Sequence, residues 1–258
     1  MDHIKEIFEY RDMIESMARR ELRGKYEKSA LGFLWSFLNP LFQILIYNVI
    51  FTRIFHNGIS NYYIYLMTGI LPWTFFSESF GQGSGAIIYN AEMVKKIYFP
   101  REVMVFSEVS AKLINLFLSF IVMAVFLLFS GVGFGIQIFL LPLIVLIEYI
   151  FALGCALLVA SVTVYFRDLE YVVNVILMAW IWGTPIMYEK KAVLDPLLRA
   201  ILTANPMTGI IECYHKILYY HTFPGLIDWI IPLAEGLAVL VIGYFVFGKL
   251  NRRFVEEL

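Results

Sequence analysis

Apolar residues gather into long runs along this chain, and polar residues are confined to the stretches between them. A membrane-crossing helix needs about 20 mostly apolar residues. Six runs approach or exceed that length, at residues 31–55, 62–88, 104–130, 136–165, 169–187 and 229–248. The fourth is long enough to tilt strongly or to project beyond the bilayer. The pattern predicts an all-α integral membrane protein with six transmembrane helices. Residues 4–22 follow a different rule. Ile4, Ile7, Phe8, Ile14, Met17, Ala18 and Leu22 share one side of a 3.6-residue wheel, and Lys5, Glu9, Asp12, Ser16, Arg19 and Arg20 share the other. Such a helix suits the membrane interface, lying flat ahead of the first span, or packing on another subunit. Residues 196–225 are largely apolar yet are interrupted by Asn205-Pro206, Gly209 and Pro224. Each half is too short to span, which predicts two short re-entrant helices, with their irregular backbone covered by protein.

Charge gives the orientation. Lys5, Arg11, Arg19, Arg20, Arg23, Lys25 and Lys28 precede the first run, Lys95, Lys96 and Arg101 follow the second, and Lys249, Arg252 and Arg253 close the chain. The segment 131–135 carries no charge and the Arg53 region is nearly neutral. By the positive-inside rule both termini are expected in the cytoplasm, although Lys190, Lys191, Arg199 and Lys216 fall on the outer side and run against it. The chain then reads as one transmembrane domain over 1–258. It comprises an interface helix and basic turn (1–30), spans one and two (31–88), a cytoplasmic loop (89–103), spans three to five (104–188), outer helices (189–228), span six (229–248) and a cytoplasmic tail (249–258).

Composition agrees: 60% of the 258 residues are hydrophobic, 16% are charged and the mean hydropathy is +0.74, whereas soluble domains run near 45–50% and about 25%. A net charge of −1 gives no reason to expect nucleic acid as a partner. The two cysteines, Cys155 and Cys213, lack metal-site spacing and read as small packing residues. The first 30 residues are rich in charge and the first apolar run lacks a small-x-small cleavage site, so the spans are expected to direct insertion.

One stretch imitates a nucleotide site. "GYFVFGKL" at 243–250 matches the phosphate loop G-x-x-x-x-G-K-[ST] except at Leu250. That loop follows a strand, cradles phosphate with backbone N–H groups and holds magnesium through its final hydroxyl. Here the interior is Tyr-Phe-Val-Phe and no hydroxyl follows Lys249, so a helix end is expected and no ATPase. Glu148, deep in the fourth run, is a candidate proton site or a helix–helix hydrogen bond; Glu78, Glu235 and the i,i+4 pair Glu108–Lys112 also lie in runs. Gly81 and Gly85, with Gly83 and Ser84 between them, give the second run a small-residue face for close packing. His3, His56, His215 and His221 have no metal-ligand spacing, so no metal is expected. Aromatic residues make up 17% of the chain. Part of this is interfacial belt. Trp35, Phe42, Trp180 and Trp182 are the candidates for a lumen in which sugar rings slide over flat faces.

Two stretches go further: "LRGKYEKSALGFLWSFLNPLFQILIYNVIF" (22–51) and "YLMTGILPWTFFSESFGQGSGAIIYNAEMVKKIYFPREVMVFSEV" (65–109). Together with "RDLEYVVNVILMAWIWGTPIMY" (167–188) and "NPMTGIIE" (205–212), in this order, the chain resembles the permease subunit of ABC transporters that export polysaccharides, the O-antigen, capsule and teichoic-acid exporters. The resemblance covers essentially the whole chain. It implies a homodimer in the bacterial cytoplasmic membrane, a lipid-linked polysaccharide as cargo, and a separate nucleotide-binding subunit that carries ATP and magnesium, so that this subunit binds no cofactor. It also implies that "NAEMVKKIYFP" is the coupling helix docking into that ATPase, with Asn90 as N-cap and a stop at Pro100. The coupling residues are then Glu92, Met93, Val94, Lys95, Lys96, Ile97, Tyr98 and Phe99, with Ile97 and Phe99 as apolar anchors. A proton-coupled transporter using Glu148 and a membrane-embedded glycan-processing enzyme are the rival readings.

Overall fold

The structure, a computed structural model, describes residues 9–24, 32–54 and 58–258. Among these residues every regular element is helical and none is a strand. In chain order they are α1 (Arg11–Gly24), α2 (Trp35–Arg53), α3 (Tyr62–Gly85), α4 (Ala91–Lys96), α5 (Glu102–Ser130), α6 (Leu141–Thr163), α7 (Leu169–Trp180), α8 (Pro196–Ala204), α9 (Pro206–Leu218), α10 (Leu226–Leu250) and α11 (Phe254–Glu257). Short 3-10 turns precede α2 and α6 and follow α10. Three stretches, Glu102–Ser130, Ile136–Thr163 and Leu226–Arg253, are long and apolar enough to cross a membrane. The beginning of the amphipathic pattern at 4–22 lies outside the described residues. From Arg11 onward it is helical, and Met17 and Ala18 are buried where α1 lies on α5.

The bundle is organised around α6. Most of its span is buried, whereas α5 and α10 turn largely outward. It packs on α10, α3, α5 and α9. The α6–α10 crossing brings backbone against backbone: a Cβ on Gly243 would overlap the carbonyl oxygen of Gly154, and one on Gly154 would lie 2.5 Å from the amide nitrogen of Leu240. Only glycine permits helices this close. The α3–α6 approach works the same way through Gly83, where a Cβ would lie 2.9 Å from that of Ala156. Of the small-residue face expected over residues 81–85, Gly83 is the member that makes this close contact. Gly81 would meet α7 at ordinary distance and Gly85 faces its neighbour Tyr89.

The fifth apolar run differs from its expected form. Its helix, α7, has 12 residues, about 18 Å, and the chain then turns irregularly through Gly183-Thr184-Pro185. This irregular backbone is held by side chains from elsewhere. Tyr62 donates to the Met187 carbonyl at 2.7 Å, Tyr65 to that of Tyr188 at 3.0 Å, and Asn205 Nδ2 to that of Gly183 at 2.7 Å. Buried carbonyls without such donors would be costly. Two helices follow, with Asp195 capping α8 and Asn205 capping α9, and each has proline in its first turn.

Candidate functional site

The loop joining α3 to α5 carries the proposed coupling residues. The chain turns after Gly85 and forms α4 over Ala91–Lys96. Asn90 occupies the N-cap position, but its side chain does not cap. Nδ2 donates to the Ala86 carbonyl at 2.8 Å, and Oδ1 accepts from Arg20 at 2.7 Å. The loop is thereby tied to α1. The far end is tied to the tail: Arg101 donates to both oxygens of Asn251, at 2.6 Å to Oδ1, and its guanidinium lies 5.9 Å from the Phe254 ring centre. Lys96 pairs with Glu92 at 2.8 Å on the solvent side. A cavity of about 530 Å³ opens here, lined by Lys95, Ile97, Tyr98, Arg101, Asn251 and Arg252.

Side-chain directions revise the choice of anchors. Val94 and Phe99 are buried in the protein's own core, and Met93 packs against it. Ile97 is 57% exposed and Tyr98 is 88% exposed. Phe99 is therefore not presented to a partner, because the bond from Arg101 to Asn251 and the adjacent Pro100 draw that end of the loop against the body. The outward apolar pair is Ile97 and Tyr98, flanked by exposed Glu92, Lys95 and Lys96. Sequence reasoning missed the tail's part in this surface. The only signal was the basic cluster Lys249, Arg252 and Arg253 at the end of the chain.

The four candidate lumen aromatics separate. Phe42 and Trp182 are exposed. Trp180 is packed edge-on against Phe76 and Phe80 with ring centres 5.2 and 6.3 Å away, and its indole nitrogen donates to Asn205 Oδ1 at 2.8 Å. Trp35 borders a polar cavity between α2, α3 and α5. Glu148 is fully buried and accepts from Tyr214 at 2.6 Å, joining α6 to α9. Glu108 and Lys112 do pair, at 2.7 Å. The segment 243–250 is continuous helix inside α10. No group of three or more His, Cys, Asp or Glu residues suited to a metal ion occurs among the described residues.

Within α9 the buried ring of His215 stacks on Tyr65, with ring centres 4.0 Å apart. Burial holds the His215 imidazole down at about 3, only partly opposed by a hydrogen bond to the Tyr65 backbone. For Glu189, partial burial works against the charge, but hydrogen bonds from Tyr220 and Lys191 outweigh it and leave the carboxyl below its ordinary range.

A family model described as ABC-2 type transporter matches residues 13–219, and the chain belongs to that family. Its relatives narrow the class. The O-antigen export system permease protein RfbA of Myxococcus xanthus is 32% identical over 256 residues, 99% of this chain and 98% of that protein. A protein of the same name from Klebsiella pneumoniae is 31% identical over 249 residues, 96% of this chain and 95% of its own length. The capsule polysaccharide export inner-membrane protein CtrC of Neisseria meningitidis is 22% identical over 245 residues, 91% of this chain and 80% of the relative.

Proposed function

We propose that this chain is the channel-forming permease subunit of an ATP-driven exporter that moves a lipid-linked polysaccharide, an O-antigen or similar cell-surface glycan, across the bacterial cytoplasmic membrane. The observation that carries the reading is identity to named O-antigen export permeases over nearly the whole length of both proteins. In this reading α2, α3 and the α7 segment with its irregular extension cross the membrane beside the three span-length helices. Both termini lie in the cytoplasm, two copies form the conduit, and α8 and α9 sit as short gate helices at the outer mouth. Energy enters through a separate nucleotide-binding subunit that holds ATP and magnesium.

The α3–α5 loop is its proposed contact. Exposed Ile97 and Tyr98 beside Lys95 and Arg252 form an apolar patch with a basic rim, the arrangement in which a few anchors supply affinity and rim charges orient the partner. Trp35, Phe42 and Trp182 are the rings offered to the glycan, while Trp180 is engaged in packing. The test is deletion of the gene in its own bacterium. Surface glycan should disappear and lipid-linked glycan should accumulate inside, and a plasmid copy should restore export. Normal surface glycan in the deletion strain would reject the proposal.

A further inference from the structure

The polar cavity beside Trp35 has a volume of about 120 Å³ between α2, α3 and α5, close to the ~150 Å³ of an engineered cavity that admits one six-membered ring. Its lining is unusual for apolar helices. Asn39 and Gln43 are spaced i,i+4 on α2, one turn and two turns beyond Trp35; Thr74 and Glu78 are spaced i,i+4 on α3; Lys112, Asn115 and Ser119 are spaced i, i+3, i+7 on α5. Three helices thus aim one polar stripe each at a common space. Polar groups at such depth are expensive unless they meet water or a ligand.

The bonding state of these groups narrows the ligand. Lys112 is 1% exposed, and its ammonium pairs with Glu108 at 2.7 Å and Glu21 at 3.7 Å. The one ammonium that lines the cavity among the described residues is thus already engaged by two carboxylates, so an anion would find no free cation there. The hydroxyls of Thr74 and Ser119 donate to the carbonyls of Ile70 and Asn115, each at 2.8 Å, which leaves their oxygens as acceptors. Asn115 Oδ1 is buried and accepts no hydrogen bond among the described residues. A lipid tail here would strand these oxygens without donors, at a cost for each. The site asks for a neutral molecule rich in O–H donors, with one C–H face flat enough to lie on an indole.

We propose that this cavity is a subsite for a single neutral sugar ring, with Trp35 under its C–H face and Asn115, Thr74 and Gln43 on its hydroxyls. The inference rests on the exporter reading and gives it a position within each subunit. It also shifts sugar recognition from aromatic surface alone to an amide and hydroxyl pocket.

The test places the photo-reactive residue p-benzoylphenylalanine at Asn39 or Gln43 of the full-length chain, in cells that synthesise the glycan, with Phe245 on the exposed face of α10 as control. Irradiation should give permease adducts bearing carbohydrate at 39 and 43, sensitive to periodate, and none at 245. Adducts with lipid alone, or none at either position while the unaltered transporter exports, would overturn the subsite. If export proceeds without the gene, the exporter reading fails instead. Separately, Thr74→Val and Asn115→Leu should each lower export at least tenfold at unchanged membrane levels. Thr74→Val is near-isosteric and keeps the test informative if Asn115→Leu does not fold, and unchanged export in Thr74→Val would count against the pocket.

Discussion

Gly243→Ala is expected to destabilise the protein through one atom. The new Cβ would overlap the Gly154 carbonyl oxygen and approach the Gly154 carbonyl carbon at 3.2 Å and the Leu158 nitrogen at 3.3 Å. All three neighbours are backbone, so no side chain can rotate away and α10 must move off α6. A gap of 0.5–1 Å along a packed seam forfeits about a quarter to a half of each contact's attraction, and overpacking of this kind costs about 1–3 kcal/mol. Alanine returns roughly 1 kcal/mol of helix propensity. With immovable neighbours the upper part of the range applies, and the net loss is about 2 kcal/mol, roughly 4–8 °C in Tm by the scaling for chains of this size. Gly248 provides the internal control, because a Cβ there would meet nothing within 4 Å. Gly248→Ala should keep the propensity gain and raise Tm by up to about 4 °C. The assay is thermal unfolding of the detergent-purified protein by intrinsic fluorescence. If both alanines shift Tm in the same direction, close packing at Gly243 is not what the segment 243–250 contributes.

Ile97→Ala and Tyr98→Ala should leave Tm unchanged but reduce co-purification of the companion ATPase by tenfold or more, whereas Phe99→Ala should lower Tm, since removing a core phenylalanine costs about 3–5 kcal/mol; equal effects on Tm would refute the division. Asn205→Ala removes the donor to the Gly183 carbonyl and to Thr184 Oγ1 and the acceptor for Trp180 and the Met207 amide, so a loss of at least about 2 kcal/mol is expected from stranded partners, read as Tm. His215, held near 3 in the fold against about 6.5 unfolded, binds protons more readily when unfolded, so stability should decline as pH falls below about 6.5, by about 2 kcal/mol at pH 5; His215→Phe should flatten that decline, and an unchanged pH profile would refute it. Cysteines placed at Lys191 and Thr222 should react with an impermeant thiol reagent from outside and one at Lys95 should not; the reverse pattern would invert the topology.

Much of the fold is legible from hydropathy alone because long apolar runs have few soluble alternatives. The three span-length helices fall within or around runs read from the sequence, and the imitation phosphate loop is plain helix because Tyr-Phe-Val-Phe has no reason to leave that conformation. What escapes the sequence is tertiary. The fifth run is apolar throughout, yet its helix ends at Trp180, because Tyr62, Tyr65 and Asn205 stand ready to bond the carbonyls that follow. Asn205-Pro206 is visible as a break, but not as the residue that joins α7's end to α9. The small-residue face over 81–85 is visible from spacing, but which of its glycines meets α6 is not: the helix rotation selects Gly83. Phe99 looks like Ile97 in a linear sequence; the clasp between Arg101 and Asn251, 150 residues apart, puts one inside and the other out. The polar cavity was missed because its residues are divided among three helices, and each alone resembles an ordinary polar interruption.

The most direct test is transport in proteoliposomes holding the purified chain and its companion ATPase, loaded with radiolabelled lipid-linked glycan. The measured quantity is the glycan that becomes accessible to a membrane-impermeant glycosidase on the opposite face. ATP should drive accessibility, and an ATPase with its catalytic carboxylate removed should abolish it, with a proton gradient having no effect. Accessibility driven by a proton gradient in the absence of ATP would contradict the account.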